Sequence, residues 1–423
     1  MESSSLAKGG QGERTPDRGS ISYAFEQAAA DERELTRLRA ESKTSLLNQE
    51  GQTVHALGNG FREDMREVFD NMHVLLPAYN QEGTIGRTLG YLTEGIGLKP
   101  EQITVASNST DRTDTVARDF GVDVLQLKDL FDEYIADQPR FLELMQASNL
   151  KQLRGKGMNM FLGHLYGYMT GKRKPHELIV QVDTDISNIG ADQDQWDPVT
   201  YFAWAAKMKK DLQAVKASKN GRNNQPIHIG MNVWPTMGEE GEFYQQKIAV
   251  ERWPLTGEYG WRGNVTPRLR LATGYAVEMV LNMSQADAGL KKYQIEIPEA
   301  RIDGQNPLTK ETVMYSDILR TTGGIIMTGK RLQDLSLDEI QALNKRLQGK
   351  KTYVMDEKDS NPGPAAHPNE VRVVEASRVI PDLETLTTHD LLKNGRAERI
   401  YSFVPEGLQN APAARFTTPI SAE

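Results

Sequence analysis

The sequence predicts an α/β fold, a mostly parallel central sheet with flanking helices. Three observations point there. From His73 to Ile186, short apolar runs of strand length alternate with longer runs of helical spacing, the rhythm of βαβ units. The polar motifs "PAYNQEG", "SNSTD" and "DTD" stand at the ends of apolar runs, where ligands of such sheets bind. With 38% hydrophobic and 26% charged residues, the 423-residue chain can bury a sizeable core.

In chain order, residues 1 to 20 are polar and rich in Gly and Ser, and read as disordered. Ala24–Gln49 has the Ala, Leu, Glu and Arg content of a strong helix, which packs on the main domain, mediates self-association or stays solvated. "HVLLPAY" is a strand. "EGTIGRTLGYLTEG" follows as a helix, with Ile85, Leu89 and Leu92 on one face. "ITVAS" is the next strand. "STDRTDTVARDFG" reads as a helix capped by Ser109, Thr110 or Asp111 and ended at Gly121. "VDVLQL" is a strand, and a long helical region separates it from the strand "LIVQVDTDI". Further on, "DPVTYFAWAAKMKKDLQAVKAS" reads as a helix, "IHIGMNVW" and "YQIEIPEARID" as strands, and "SLDEIQALNKRLQ" as a helix. A Pro-rich stretch, "DEKDSNPGPAAHPNE", and a polar tail close the chain. The expected division is 1–70, disordered N-terminus and helix; 71–325, main domain, split near 190; and 326–423, a C-terminal helical extension and tail.

Composition excludes several classes. There are no cysteines, so disulfides, zinc–thiolate sites and thiol catalysis are ruled out. The net charge of −8 offers no footprint for nucleic acid, and no apolar run is long enough to span a bilayer. The N-terminal residues lack the apolar core of a signal peptide, so a cytoplasmic location is expected.

The chemistry centres on "LIVQVDTDISN". Side chains of a strand alternate with period two, so Asp183 and Asp185 point to one side where the strand leaves the sheet. Like charges held that close repel unless a cation sits between them, and Mg²⁺ or Mn²⁺ suits carboxylate oxygens. The plain alternative is a solvated acidic loop. "PAYNQEG" places free backbone N–H groups between a strand and a helix, where an anion or a base edge can meet them. "RGKGMNM" sets Lys156 between two glycines, over a phosphate or merely exposed in a turn. Lys207, Lys209, Lys210, Lys216 and Lys219 read as a solvated helix face. Trp196, Trp204, Trp234, Trp253 and Trp261 read mostly as core, with one of the last three available to stack on a sugar ring.

Taken in order, "PAYN", "STD", "GKG" and "DTD" resemble the GT-A fold (Rossmann-like) of nucleotide-sugar glycosyltransferases, in which the aspartate pair holds Mg²⁺ or Mn²⁺ against the donor diphosphate. "ERWPLTGEYGWR" and "LATGYAVEMVLN" resemble segments running "QPLGGEYA" and "GYGVEIGLL" in the retaining glucosyl-3-phosphoglycerate synthase family, and "ARIDGQNPL" resembles its "VRIHRNQPL". The similarity covers about Val74 to Leu308.

The resemblance implies a role for each matching residue. Pro77, Ala78 and Tyr79 flank the nucleotide base, with Gln81 where the family has an acid, and Ser107 reaches the base. Lys156 contacts the nucleotide. Asp183 meets the ribose or the outer shell of the metal, and Asp185 ligates it. Leu255 and the turn of Gly257 and Glu258 lie near the transferred sugar, Tyr275 and Glu278 bind its hydroxyls, and Arg301 lies over the diphosphate. Asp303 stands where the family has a histidine ligand and is the third metal candidate, with His228 a spare that reads as structural. The implied catalytic set is Asp185, Glu278 and Arg301, and the implied metal set Asp183, Asp185 and Asp303.

The implied reaction moves a hexose from UDP-glucose, or from GDP-mannose, with retention onto a hydroxyl of a small polar acceptor such as glycerate or phosphoglycerate. The segment "WPTMGEEGEFYQQK", where the family grips the acceptor phosphate, is acidic and argues against 3-phosphoglycerate. A homodimer through C-terminal elements is also consistent with the resemblance. Two alternatives stand beside it: an inverting enzyme of the same fold acting on a polyprenyl phosphate or a glycan, and an inactive domain that binds a nucleotide sugar or another protein.

Overall fold

A computed structural model of the chain describes residues 45–46, 65–126, 138–147, 155–190, 196–219, 227, 230–248, 255–297, 308–348, 350–355, 371–389 and 391–392. Among them, eight strands join in one sheet: β1 (Ser45–Leu46), β2 (Met72–Ala78), β3 (Ile103–Ser107), β4 (Asp123–Gln126), β5 (Leu178–Gln181), β6 (Ala214–Lys219), β7 (Tyr259–Arg262) and, after the short β8 (Leu271–Ala272) outside it, β9 (Lys292–Ile297). The order across the sheet is β1-β9-β6-β7-β5-β2-β3-β4. Only β7 runs against its neighbours; the remaining ladders are parallel. All seven residues of β2 are buried, as befits a strand covered on both faces.

The helices are α1 (Arg66–Asp70), α2 (Ile85–Gly90), α3 (Thr113–Asp119), α4 (Pro139–Ala147), α5 (Lys156–Thr170), α6 (Pro198–Met208), α7 (Glu239–Ile248), α8 (Val277–Asp287), α9 (Leu308–Ile326), α10 (Leu337–Gln348) and α11 (Leu383–Thr388). On one face of the sheet, Val74, Leu76, Val180 and Val215 pack with Leu89 of α2 and Phe202 of α6. On the other, Ile179, Tyr259 and Trp261 pack with Phe161 and Leu165 of α5. Residues Gly157 to Met169 of α5 are all buried, so this helix is covered on every side, which accounts for its mostly apolar sequence. A third cluster joins Trp234, Tyr244, Val280, Ile318, Leu343 and Val379 beneath the C-terminal segment.

That segment is woven into the domain. β12 (Val379–Ile380) pairs antiparallel with β8, and Asn344 of α10 exchanges two hydrogen bonds of 2.8 Å with the backbone of Val379. A hairpin of β10 (Lys351–Met355) and β11 (Val371–Glu375) adds strands to the expected helices.

The expected strands from His73 to Ile186 and the helix on Ile85, Leu89 and Leu92 are in place, all three being fully buried. Other expectations give way. The helix expected over residues 197–218 stops at Met208, and its second half is β6, an interior strand between β7 and β9. Lys216, expected on a solvated helix face, is therefore fully buried in the sheet. "IHIGMNVW" is not a strand: Ile227, Gly230 and Met231 are helical and Trp234–Met237 is a 3-10 turn. Ser45 and Leu46, expected within a helix, pair with β9, and the rest of that stretch lies outside the described residues. α3 begins at Thr113, with Arg112 and not Ser109 or Thr110 at its cap, while Asp111 accepts the Thr113 N–H at 3.0 Å.

Candidate active site

Strand order reverses between β2 and β5: β3 and β4 lie beyond β2, and β7 and β6 beyond β5. The carboxyl ends of these two strands therefore frame the crevice in which doubly wound sheets bind ligands. Tyr79 stands at one end and the aspartate pair at the other.

The β5 ladder ends at Gln181, but the alternation persists. Val182, Thr184 and Ile186 are buried, and Asp183 and Asp185 are half-buried on the opposite side. The loop is pinned from two directions. The Thr184 hydroxyl donates to Pro77 O at 3.4 Å, and Arg87 of α2 donates to Ser187 O at 2.5 Å. Two carboxylates held on one open side are hard oxygen donors suited to Mg²⁺ or Mn²⁺. Among the described residues no third His, Asp or Glu joins them; Asp303, the expected third ligand, lies outside those residues, as do Arg301, His228 and Trp253.

α5 delivers a cation to the same place. Lys156 is its first residue, and Lys156 Nζ lies 2.6 Å from Asp183 Oδ1 and 2.8 Å from Glu278 Oε1. Burial would lower the pKa of this lysine, but the two carboxylates outweigh burial and hold it above its ordinary value. The flanking glycines have separate reasons. Gly155 has φ 112°, a conformation side chains resist, and a Cβ on Gly157 would stand 1.8 Å from Ala272 O. The helix start can approach β8 this closely only without a side chain there.

The loop after β2 and the loop after β3 are laced together. Asn80, at φ 53°, accepts the Thr110 N–H at 2.9 Å and donates its own N–H to Ser109 Oγ at 2.9 Å. The Gln81 N–H donates to Thr113 Oγ1 at 2.6 Å, and Glu82 Oε2 accepts the Arg112 N–H at 3.0 Å. Asn159, one turn into α5, donates to Ala78 O at 2.9 Å and accepts from Asn108 at 2.7 Å. Tyr79 is left 46% exposed above this lattice, while Pro77 and Ala78 are buried. Ser107 is also buried, and its hydroxyl is engaged with Ser109 at 2.8 Å.

Glu278 opens the first turn of α8 and joins the two halves of the crevice. Its Oε2 accepts the Thr256 N–H at 2.9 Å while Oε1 takes Lys156. Leu255 and Glu258 are buried, and Gly257, at φ 84°, accepts Gln181 Nε2 at 2.9 Å, so this turn contributes backbone to the crevice wall. Tyr275 is 39% exposed beside it. Trp234 and Trp261 are fully buried, so neither presents a ring to a sugar.

Sequence reasoning missed Asn159, Thr256 and the paired role of Asn80. An asparagine within the apolar run of α5 and an asparagine after a strand were visible signals for two of them. The acidic segment "WPTMGEEGEFYQQK" forms the 3-10 turn Trp234–Met237 and most of α7. Tyr244 of α7 donates to Asp287 at 2.7 Å, at the far end of α8 from Glu278. Nine residues of helix, about 13 Å, separate those two acids.

No family model matches the chain. A glucosyl-3-phosphoglycerate synthase of Petrotoga mobilis is 24% identical over 262 residues, covering 58% of this chain and 70% of its own. Glucosyl-3-phosphoglycerate synthase from Mycobacterium tuberculosis, solved with Mn²⁺, uridine diphosphate and phosphoglyceric acid, superposes with a TM-score of 0.50 at 17% identity over 77% of this chain and 95% of that one. Mannosyl-3-phosphoglycerate synthase from Rubrobacter xylanophilus gives a TM-score of 0.50 at 18% identity over 77% and 92%. The chain has the GT-A fold of these proteins, and its likeness to glucosyl-3-phosphoglycerate synthases holds in sequence and in architecture.

Proposed function

We propose that this chain is a hexosyltransferase that moves glucose from UDP-glucose, with retention, onto a hydroxyl of glycerate or phosphoglycerate. One observation carries the reading: Asp183 and Asp185 sit on one open side at the reversal point of the sheet, with Lys156 bridging Asp183 to Glu278. The relatives supply the substrates. The similar Mycobacterium enzyme was solved with Mn²⁺, uridine diphosphate and phosphoglyceric acid, and the Petrotoga relative bears the same name. Residues 71–190 then bind the nucleotide, and 191–325 the sugar and the acceptor. Among the described residues no helix is long and apolar enough to cross a membrane, in keeping with small polar substrates.

Asp183 and Asp185 would hold a divalent ion, which when bound would supply positive charge against the departing diphosphate. Lys156 adds a second, permanent positive charge, kept protonated by its two carboxylates. Tyr79 offers an exposed ring to the base, Tyr275 and Glu278 face the hexose, and Arg301 and Asp303 act from the segment before α9. Retention follows if the acceptor hydroxyl attacks from the leaving-group side and passes its proton to a diphosphate oxygen. The chain then contributes position and fixed charge in place of a nucleophile. A mannose donor is the second reading, favoured by the likeness to the mannosyl enzyme.

The test is to incubate the full chain and Mn²⁺ with UDP-glucose or GDP-mannose and either acceptor, and to read the anomeric proton of the product by NMR. An α-linked glucosyl product is expected. A β-linked product overturns retention, and no product from any donor overturns transfer.

A further inference from the structure

Asp317, in the middle of α9, is 3% exposed and collects four hydrogen bonds. Oδ2 accepts the Tyr275 backbone N–H at 3.0 Å and the Ser377 hydroxyl at 2.5 Å. Oδ1 accepts the Ser377 N–H at 2.5 Å and the Thr321 hydroxyl at 3.2 Å. Burial raises the pKa of this acid, and those four donors work against that rise. One carboxylate thus ties together three segments distant in sequence: α9, the turn Gly274–Ala276, and the segment before β12.

The turn depends on that tie. Gly274 has φ 65°, and a Cβ there would stand 2.5 Å from Ser377 Oγ, so the serine lies directly over the turn. The Ala276 N–H reaches Ser377 Oγ at 3.5 Å. On the near side, Thr273 and Arg378 exchange two hydrogen bonds of 2.9 Å. Tyr275 is carried by this turn, and Glu278 stands in the first turn of the helix that follows it. A wholly apolar contact would hold the turn against the core without fixing its direction. Two backbone N–H groups converging on one buried carboxylate fix direction as well.

We propose that Asp317 is a positioning residue for the hexose of the donor, setting through Ser377 and the Tyr275 backbone where Tyr275 and Glu278 meet the sugar, so that the C-terminal segment Ala376–Arg378 is part of the donor site. The inference rests on the donor assignment of the preceding section. It makes a separable demand, because the base and metal contacts come from the ends of β2 and β5, whereas the hydrogen bonds of Asp317 go to Tyr275, Ser377 and Thr321.

Titration calorimetry of the full chain with Mn²⁺ tests it, using UDP and UDP-glucose as ligands for wild type, Asp317→Asn and Ser377→Ala. Ser377→Ala removes one hydroxyl and keeps its backbone bond, so a folding failure in Asp317→Asn does not end the test. The expected result is a loss of about tenfold in UDP-glucose affinity, with UDP affinity changed by less than about twofold. In turnover, KM for UDP-glucose rises more than kcat falls. Equal losses for UDP and UDP-glucose, or no loss for either, would overturn the positioning role while leaving the donor assignment intact. A wild-type chain that binds neither nucleotide would overturn the donor assignment, and the positioning role with it.

Discussion

Lys156 Nζ stands 2.6 Å from Asp183 Oδ1, so the first aspartate of the pair already carries a fixed positive neighbour from the start of α5. The same ammonium reaches Glu278 at 2.8 Å, which makes one lysine the link between the nucleotide side and the sugar side of the crevice.

Replacing that lysine leaves two acids facing each other with no charge between them. Lys156→Met is expected to lower kcat/KM for UDP-glucose by about a hundredfold, the scale of losing two charge-assisted hydrogen bonds. Lys156→Arg keeps the charge but not the point geometry and should recover only part of the rate. Steady-state kinetics on the two variants checks this, and unchanged turnover in Lys156→Met would remove the lysine from the donor site.

Asp287 predicts a pH dependence of stability. Burial raises its pKa to about 7 from an ordinary value of 3.8, although hydrogen bonds from Tyr244 and the Gln333 N–H and the nearby Arg331 pull the other way. Among the described residues its Oδ1 has no hydrogen-bond partner, and it is closed off from solvent. Between those two values the unfolded chain has released a proton that the folded chain still holds. The contribution of Asp287 is therefore fully present below the unfolded value and is lost as pH rises through about 7, by a few kcal/mol at most. Melting temperatures of wild type and Asp287→Asn from pH 5 to pH 8 check it: the wild type should lose ground relative to the variant as pH rises.

Arg270 and Asp382 form an ion pair of 2.6 Å with both side chains 4% exposed. Arg270 also donates to the carbonyls of Leu332 and Leu335, and Asp382 caps α11 through the Thr385 N–H at 2.7 Å. Removing one charge strands the other in the core, so Asp382→Asn should destabilise the chain by about 3 kcal/mol. Urea unfolding measures the change. A loss of a few tenths would mean that the C-terminal segment contributes little to the fold.

What was legible in the sequence was local. The strands ending in "PAY" and "DTD" announce themselves by apolar runs of the right length, and the period of two that placed Asp183 beside Asp185 survives past the last ladder bond. β6 was hidden because "KMKKDLQAVKAS" has helix-forming residues throughout; its place between β7 and β9 overrides that preference. The contact of α7 with α8 was hidden for a related reason, since nothing in "GEEGEFYQQK" says that Tyr244 will reach Asp287. Asp317 and Ser377 lie 60 residues apart in sequence and meet only because α9 and β12 pack on either side of one turn.

The central claim is that the carboxylate pair after β5 holds a cation against a nucleoside diphosphate. Calorimetric titration of UDP into wild type and Asp185→Ala, each with and without Mn²⁺, tests it most directly. UDP should bind the wild type tightly only with Mn²⁺ present, and Asp185→Ala should lose that metal dependence together with the affinity. Equal UDP binding by both proteins, indifferent to Mn²⁺, would contradict the account.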